Sequence, residues 1–159
     1  MRARRKSRIL AMSMLYAMEM QRDAAHGIAR LVPTMYTRRF DQNVEDYAYH
    51  LVHTAMAHSV ELDTLIRERA QNWRLQRMAI LDRILMRIAL VEMHYEPRLP
   101  AVICINEAID IAKMYSTAES GHFINALLDA IRKEDNGSKP APAPPPAAAP
   151  PPPETPPAE

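Results

Sequence analysis

A cluster of basic side chains opens this sequence of 159 residues, although the formal net charge of the whole chain is only +1. Positive charge concentrated in so short a segment creates a local field that attracts phosphate groups. Cations at the start of a helix also oppose the positive end of the helix dipole, which is a small cost. Their presence here therefore indicates an anionic partner. The cluster consists of Arg2, Arg4, Arg5, Lys6 and Arg8.

Histidine and cysteine are the other side chains with obvious chemistry. His50 and His53 are spaced i, i+3 on a predicted helix, but the carboxylates that complete a metal site in a helical bundle, as in Glu-x-x-His, are missing. We therefore predict partly exposed helix histidines and no bound metal. Cys104 is the one cysteine and has Val and Ile neighbours. We predict a buried, unreactive thiol and not a nucleophile paired with His94 or His122.

Motifs typical of nucleotide binding and of hydrolysis are absent from the sequence. It contains neither a glycine-rich phosphate-binding loop nor a G-x-S-x-G nucleophile turn, and it has only three glycines. We therefore predict a protein without a cofactor and without an enzymatic activity of its own.

Apolar residues recur at helical spacing along most of the chain, and no segment alternates as a strand does. The pattern predicts an all-α fold, a compact bundle of six or seven helices. The basic cluster would begin the first helix, over residues 3–22. Asp23 would cap a second helix that Pro33 ends. The further predicted helices are a long one over 43–72, then 81–95, 102–112 and 124–131, with Pro97 and Pro100 breaking the chain between two of them.

The C-terminal segment differs in composition from the rest of the chain. Of the 14 prolines, 11 lie beyond residue 138, mixed mainly with Ala. Such a segment lacks backbone donors and large apolar side chains, so it cannot join a core. We predict one folded domain at 1–135 and a disordered Pro/Ala-rich tail at 136–159.

The compartment is predicted from cysteine usage and hydropathy. A lone cysteine is typical of a reducing compartment. No run of 18 apolar residues is present, and the apolar stretch after the basic cluster is interrupted by polar residues, unlike a signal peptide. We therefore predict a cytoplasmic protein with no membrane segment.

Four segments, in order and in register, resemble the NusB family of transcription antitermination factors. The start at Arg4–Arg8 followed by Ala11–Tyr16 is similar to the family's arginine-rich opening. Leu81–Ala89 resembles its "E-R/K-A-I-L-R-L/I-A" helix. Pro100–Lys113 is similar to "P-x-K-V-x-I-N-E-A-I-E-L-A-K", and Glu119–Asp129 to "E-D-S-x-K-F-V-N-G-V-L-D". The sequence departs from the family at Ala126, where the family has Gly, and at Gly121-His122, where the family has His-Lys.

The resemblance implies a binding protein and names its partners. NusB-like proteins bind boxA-type RNA together with the small-subunit ribosomal protein that acts as NusE. With other Nus factors they act on RNA polymerase to suppress termination, notably in ribosomal RNA operons. In this sequence the resemblance leads us to expect phosphate contacts from Arg4, Arg5, Lys6 and Arg8. The residues expected to meet unpaired bases are Lys113, Tyr115, Ser120, His122 and Phe123, although Tyr115 and Phe123 fit a core role equally well.

Two further sets of residues follow from the same resemblance. Asn106, Glu107 and Asn125 would fix the geometry between helices by hydrogen bonds, a role that the sequence does not separate from RNA contact. The ribosomal-protein partner would dock on the region that contains Arg74, Arg77, Arg83 and Arg87.

Two alternatives of other kinds remain open from the sequence, as does the choice between a monomer and a homodimer. The same fold forms the N-terminal RNA-binding domain of ribosomal RNA cytosine methyltransferases. Alternatively, the chain is a protein-interaction module whose Pro/Ala tail binds an aromatic-lined groove.

Overall fold

The computed structural model describes residues 2–21, 40–70 and 78–135, and all regular structure in these ranges is helical. This confirms the predicted all-α class. None of the described helices has both the length and the apolar character needed to cross a bilayer. The helices are α1 (Arg2–Gln21), α2 (Gln42–Ala57), α3 (Ser59–Arg69), α4 (Ile80–Tyr95), α5 (Ala101–Tyr115) and α6 (Ser120–Asp135).

Helix α4 forms the centre of the bundle and contacts each of the other described helices. Its sequence explains this position, because it is apolar on most of its circumference, and a helix of that kind must be surrounded by protein. The packing around it follows the chain, with α1 against α2 and with α5 against both α4 and α6. The side chains of α4 that are buried in the common core are Ile84, Leu85, Met86, Ile88, Ala89, Leu90 and Val91.

The prediction of one continuous helix over residues 43–72 is wrong, because the chain turns at His58. The backbone of His58 has φ −110° and ψ 18°, so it ends α2 and precedes α3. Its ring contacts that of Tyr95 at 4.5 Å between centroids, and its Nδ1 lies 3.2 Å from Glu61 Oε2. These side-chain contacts hold the non-helical residue in place. The apolar periodicity continues through the break, which is why spacing alone predicted a single helix.

Several predicted features lie outside the described residues. They are the second helix between Asp23 and Pro33, the side chains of Arg74 and Arg77, and the Pro/Ala-rich tail at 136–159. The predicted ends of the other helices agree with the structure to within a few residues, and α5 continues to Tyr115.

Candidate nucleic-acid interface

Arg8 belongs to the interior of the protein, not to its basic surface. It lies on the apolar stripe of α1, one turn before Ala11 and Met12, and is only 3% exposed. Its Nε donates to both carboxylate oxygens of Glu92 at 2.9 Å, and its Nη1 donates to Glu107 Oε2 at 3.1 Å. The expectation that Arg8 contacts phosphate therefore does not fit this structure, because its guanidinium is both buried and bound.

Arg8 is part of a buried ion cluster, a name used below for Arg5, Arg8, Tyr47, Glu92 and Glu107. The Tyr47 hydroxyl donates to Glu92 Oε1 at 2.7 Å. Arg5 donates through Nε and Nη2 to the two oxygens of Glu107, at 2.9 and 2.6 Å. The cluster connects α1, α2, α4 and α5 at one end of the bundle. Each buried charge is compensated by an opposite charge and by hydrogen bonds, as burial requires.

The pKa values of the cluster reflect these contacts. Hydrogen bonds from Arg5 hold the pKa of Glu107 below its usual range, and the charge of Arg8 acts in the same direction. Burial opposes the charge of Arg8, but its bonds and charge interactions with Glu92 outweigh this effect, and its pKa lies above its ordinary value. Burial and the bond to Glu92 raise the pKa of Tyr47. Arg8 and Glu107 are therefore charged at neutral pH, and the Tyr47 hydroxyl keeps its proton.

Arg5 marks the edge where the ion cluster reaches solvent. Its side chain is 38% exposed, and its Nη2 also donates to Asp110 Oδ2 at 2.8 Å. The hydrogen bonds that Arg5 donates to Glu107 raise the pKa of Arg5, so the guanidinium stays charged. Because Asp110 lies on the outer side of α5, this bond places the start of α1 directly against that surface. Lys113, exposed, follows Asp110 by one helical turn.

The exposed cationic side chains nearest to this contact in sequence are Arg4 and Lys6 on α1 and Lys113 on α5. Arg4 is held by Tyr47, with its Cζ 3.5 Å from the ring centroid. Lys6 lies on the outward side of the same turn of α1. We call the surface formed by Arg4, Arg5, Lys6, Asp110 and Lys113 the α1–α5 surface.

The start of α6 lies beside the far end of this surface. A Cβ built on Gly121 would be 3.6 Å from Lys113 Cε and 3.4 Å from Ile109 Cγ2, so the two helices approach closely there. His122 is exposed next to this contact, and Tyr115 is 49% exposed. Phe123 is partly buried and packs against the core. Of these predicted base-contacting residues, His122 and Tyr115 are thus presented at the surface.

Ser120 does not belong to the exposed surface, because it is 1% exposed and bound to a buried carboxylate. Its hydroxyl donates to Asp82 Oδ2 at 2.8 Å, and the hydroxyl of Ser116 donates to Asp82 Oδ1 at 2.6 Å. The backbone N–H of Thr117 donates to Ser120 Oγ at 3.1 Å. Asp82 on α4 thereby holds the connection between α5 and α6. The expected base contact by Ser120 would require this network to open.

The three residues expected to fix helix geometry occupy different environments. Glu107 is buried and joins α5 to α1, as described for the ion cluster. Asn106 and Asn125 are both exposed, and their side chains form no hydrogen bond to another described residue. Among the described residues, Glu107 therefore forms the expected hydrogen bond between helices, and Asn106 and Asn125 do not. Asn106 lies one turn before Asp110, on the side of α5 that carries the α1–α5 surface.

The two described arginines of the expected partner surface hold helices together. Arg87 donates through Nε and Nη2 to the two oxygens of Asp63, both at 2.7 Å, and through Nη1 to Glu19 at 2.7 Å. Arg83 also donates to Glu19, while its Nε is buried without a partner among the described residues. The guanidinium of Arg87 thereby joins α1, α3 and α4. It is largely buried, so it is not presented to a partner.

The thiol and the histidines occupy the environments that the sequence indicated. Burial raises the pKa of Cys104 to about 12, and the Sγ contacts Pro100 O at 3.5 Å. His50 Nε2 lies 2.8 Å from Glu96 Oε1 at the protein surface. Within 2–21, 40–70 and 78–135, no group of three or more His, Cys, Asp or Glu side chains is positioned to hold a metal ion.

Comparison with known proteins assigns the chain to a family. Residues 5–133 match the model of the NusB family. The transcription antitermination protein NusB of Koribacter versatilis is 39% identical over 133 residues, which cover 82% of this chain and 89% of the relative. The protein of the same name from Chloroherpeton thalassium is 40% identical over 133 residues. In that case the match covers 83% of this chain and spans 62% of the length of the relative.

Solved structures show the same fold. T. maritima NusB superimposes with a TM-score of 0.74 at 30% identity, covering 82% of this chain and 91% of that one. A structure of the antitermination factors NusB and NusE in complex with dsRNA has a TM-score of 0.72 at 24% identity, covering 84% and 98% of the two chains. The relatives are antitermination proteins, in agreement with the predicted absence of an enzymatic activity. The family match, the identity to its members and the shared fold together show that this chain belongs to the NusB family.

Proposed function

We propose that this protein is a cytoplasmic transcription antitermination factor that binds boxA-type single-stranded RNA through the α1–α5 surface. The observation that carries the proposal is the bond between Arg5 and Asp110, which brings the basic start of α1 against the outer side of α5. Arg4 and Lys6 on α1 and Lys113 on α5 are exposed, and phosphate contacts by such side chains supply much of the affinity for nucleic acid.

The proposed function includes a protein partner and an effect on transcription. The partner is the small-subunit ribosomal protein that acts as NusE, and the complex modifies elongation by RNA polymerase with other Nus factors, notably on ribosomal RNA operons. Support comes from family membership and from the fold shared with a structure that holds NusB, NusE and RNA. The proposed docking region of the ribosomal protein runs from Arg74 to Arg87, and Arg87 itself acts indirectly, by joining the helices beneath it.

The roles of individual residues are refined by their burial. Arg4, Lys6 and Lys113 contact phosphates, with Arg5 at the edge of the same surface. His122 and Tyr115 supply rings at the end of α5 and the start of α6, where unpaired bases can stack. Arg8 and Ser120 act indirectly, because the first holds α1 in place and the second holds the start of α6.

The test is the binding of a labelled boxA-like RNA across a salt series, with and without the ribosomal protein. Arg4→Ala, Lys6→Ala and Lys113→Ala should each weaken binding, and each should reduce the slope of log K against log salt by about 1. Lys133→Ala is the matched control, because Lys133 pairs with Asp129 at the other end of α6. The partner should strengthen binding. Equal losses in the control and in the three variants would contradict the proposed surface.

A further inference from the structure

An open cleft of about 380 Å³ lies between the start of α1, one side of α2 and the residue that follows α4. Two of its lining residues have roles described above, Arg4 as a proposed phosphate contact and Tyr47 as a member of the ion cluster. The residues that line the cleft are Arg4, Asn43, Asp46, Tyr47, His50 and Glu96.

One face of α2 builds most of the cleft. Asn43, Asp46, Tyr47 and His50 are spaced i, i+3, i+4 and i+7, so they lie on the same side of the helix. Tyr47 is 9% exposed and forms the floor, and its hydroxyl is fixed by the bond to Glu92. The floor of the cleft is therefore part of the buried ion cluster and is rigidly positioned.

Planar side chains flank this floor. The guanidinium of Arg4 lies over the Tyr47 ring at 3.5 Å. The His50 ring is inclined by only 27° to that of Tyr47, with 6.1 Å between centroids. Guanidinium planes and histidine rings are the surfaces on which proteins stack unpaired bases. The walls of the cleft therefore suit a flat aromatic ligand.

The rim of the cleft presents carboxylate oxygens. Asp46 Oδ1 accepts a hydrogen bond from Gln42 Nε2 at 2.8 Å. Glu96 Oε1 lies 2.8 Å from His50 Nε2. The second oxygen of each forms no hydrogen bond to another described residue. Ionised carboxylates only accept hydrogen bonds, so they select a ligand edge made of donors.

Among the four RNA bases, guanine alone offers two neighbouring N–H donors on its Watson–Crick edge, at N1 and N2. Adenine, cytosine and uracil place acceptors beside their donors on that edge. We propose that this cleft binds one guanine base of the bound RNA strand, stacked against Arg4 and His50 and read by the carboxylates of Asp46 and Glu96. The proposal rests on the proposed RNA-binding function and adds a base preference to it.

The test uses the full chain and short oligouridylates that carry one central guanine, inosine, adenine or cytosine. Inosine lacks the N2 amino group, so it isolates one of the two proposed hydrogen bonds. We expect wild-type protein to bind the guanine RNA about tenfold more tightly than the inosine RNA. Asp46→Asn and Glu96→Gln should bring this ratio close to one. Glu45→Gln is the matched control, because it removes the same charge from the neighbouring position of α2 outside the cleft and should leave the ratio unchanged.

The outcomes separate this proposal from the one on which it rests. Binding of all four RNAs with equal affinity, or a preference for guanine that persists in Asp46→Asn and Glu96→Gln, would overturn the guanine site and leave RNA binding intact. No binding of these RNAs or of the boxA-like RNA would overturn both proposals. Circular dichroism of each variant confirms that the helical fold is retained before the ratios are compared.

Discussion

Three charged residues, Arg8, Glu92 and Glu107, lie at positions where helical spacing favours apolar side chains. Arg8 precedes Ala11 and Met12 on the stripe of α1, while Glu92 and Glu107 lie on the corresponding buried stripes of α4 and α5. A charge in such a stripe must be paired inside the protein or must stay at its edge. A charged residue on an apolar stripe is therefore the sequence signal for the ion cluster. In the sequence, Arg8 also belongs to the N-terminal basic cluster, and that membership predicted a surface position instead. The identity of the partners depends on how the helices meet, which spacing does not specify.

Glu107 makes the free energy of unfolding depend on pH in the acid range. Its pKa in the folded state lies below the ordinary value of 4.5, because it accepts hydrogen bonds from Arg5. Its contribution is therefore complete above about pH 4.5 and is lost as the pH falls through the folded pKa. We expect Glu107→Gln to lower the free energy of unfolding by about 2 kcal/mol at pH 7, and by less at pH 3.

Denaturant unfolding at a series of pH values measures this difference. Glu119→Gln is the control, because Glu119 is exposed on the connection before α6. A destabilisation by Glu107→Gln that is constant between pH 7 and pH 3 would show that the carboxylate charge is not the cause.

On the proposed RNA-binding surface, Asp110 offsets the charge of Arg5. It accepts a hydrogen bond from Arg5 at 2.8 Å on the exposed side of the cluster. We expect Asp110→Asn to raise RNA affinity by up to about fivefold, the range of a surface ion pair, and to steepen the salt dependence. Filter binding at two salt concentrations measures both effects. Asp129→Asn removes a charge from α6 away from this surface and should change affinity less, and equal gains in both variants would indicate only an effect of net charge.

Among the helices, the connection between α5 and α6 depends on a residue of a third helix. Asp82 on α4 accepts the hydroxyls of Ser116 and Ser120, and it is itself buried. We expect Asp82→Ala to lower the free energy of unfolding by about 3 kcal/mol, because the hydroxyls of Ser116 and Ser120 both lose their bond to this buried carboxylate. Thermal and denaturant unfolding measure the loss. Glu119→Ala, in the same connection but exposed, should be nearly neutral, and an equally small effect of Asp82→Ala would contradict this role.

The helices were the most predictable part of the fold, and their contacts the least. Periodicity located α1, α4, α5 and α6 because each has a long apolar stripe. It missed the break at His58, where the apolar pattern continues and only the contacts with Tyr95 and Glu61 reveal the turn. The cleft beside α2 was also unpredictable, because Arg4 and Glu96 are far apart in sequence and meet only after folding.

For the molecule as a whole, the single thiol reports on the integrity of the core. Cys104 is 1% exposed, and burial raises its pKa to about 12, so almost no thiolate is present at pH 8. We expect the folded protein to resist an aromatic disulfide reagent at pH 8 and to react fully, with one thiol per chain, after unfolding in guanidinium chloride. Rapid reaction under native conditions would show that the region around α5 opens frequently.

The anchoring of α1 has a consequence for the thermodynamics of the proposed RNA binding. A flexible basic arm loses conformational entropy when it becomes ordered on a nucleic acid, and this loss weakens binding. Here Arg5 and Arg8 fasten the first turns of the helix to Glu92 and Glu107 before any ligand arrives. Arg4 and Lys6 are therefore presented on a preorganised backbone, and association should show a smaller entropic penalty than that of a disordered arm of equal charge.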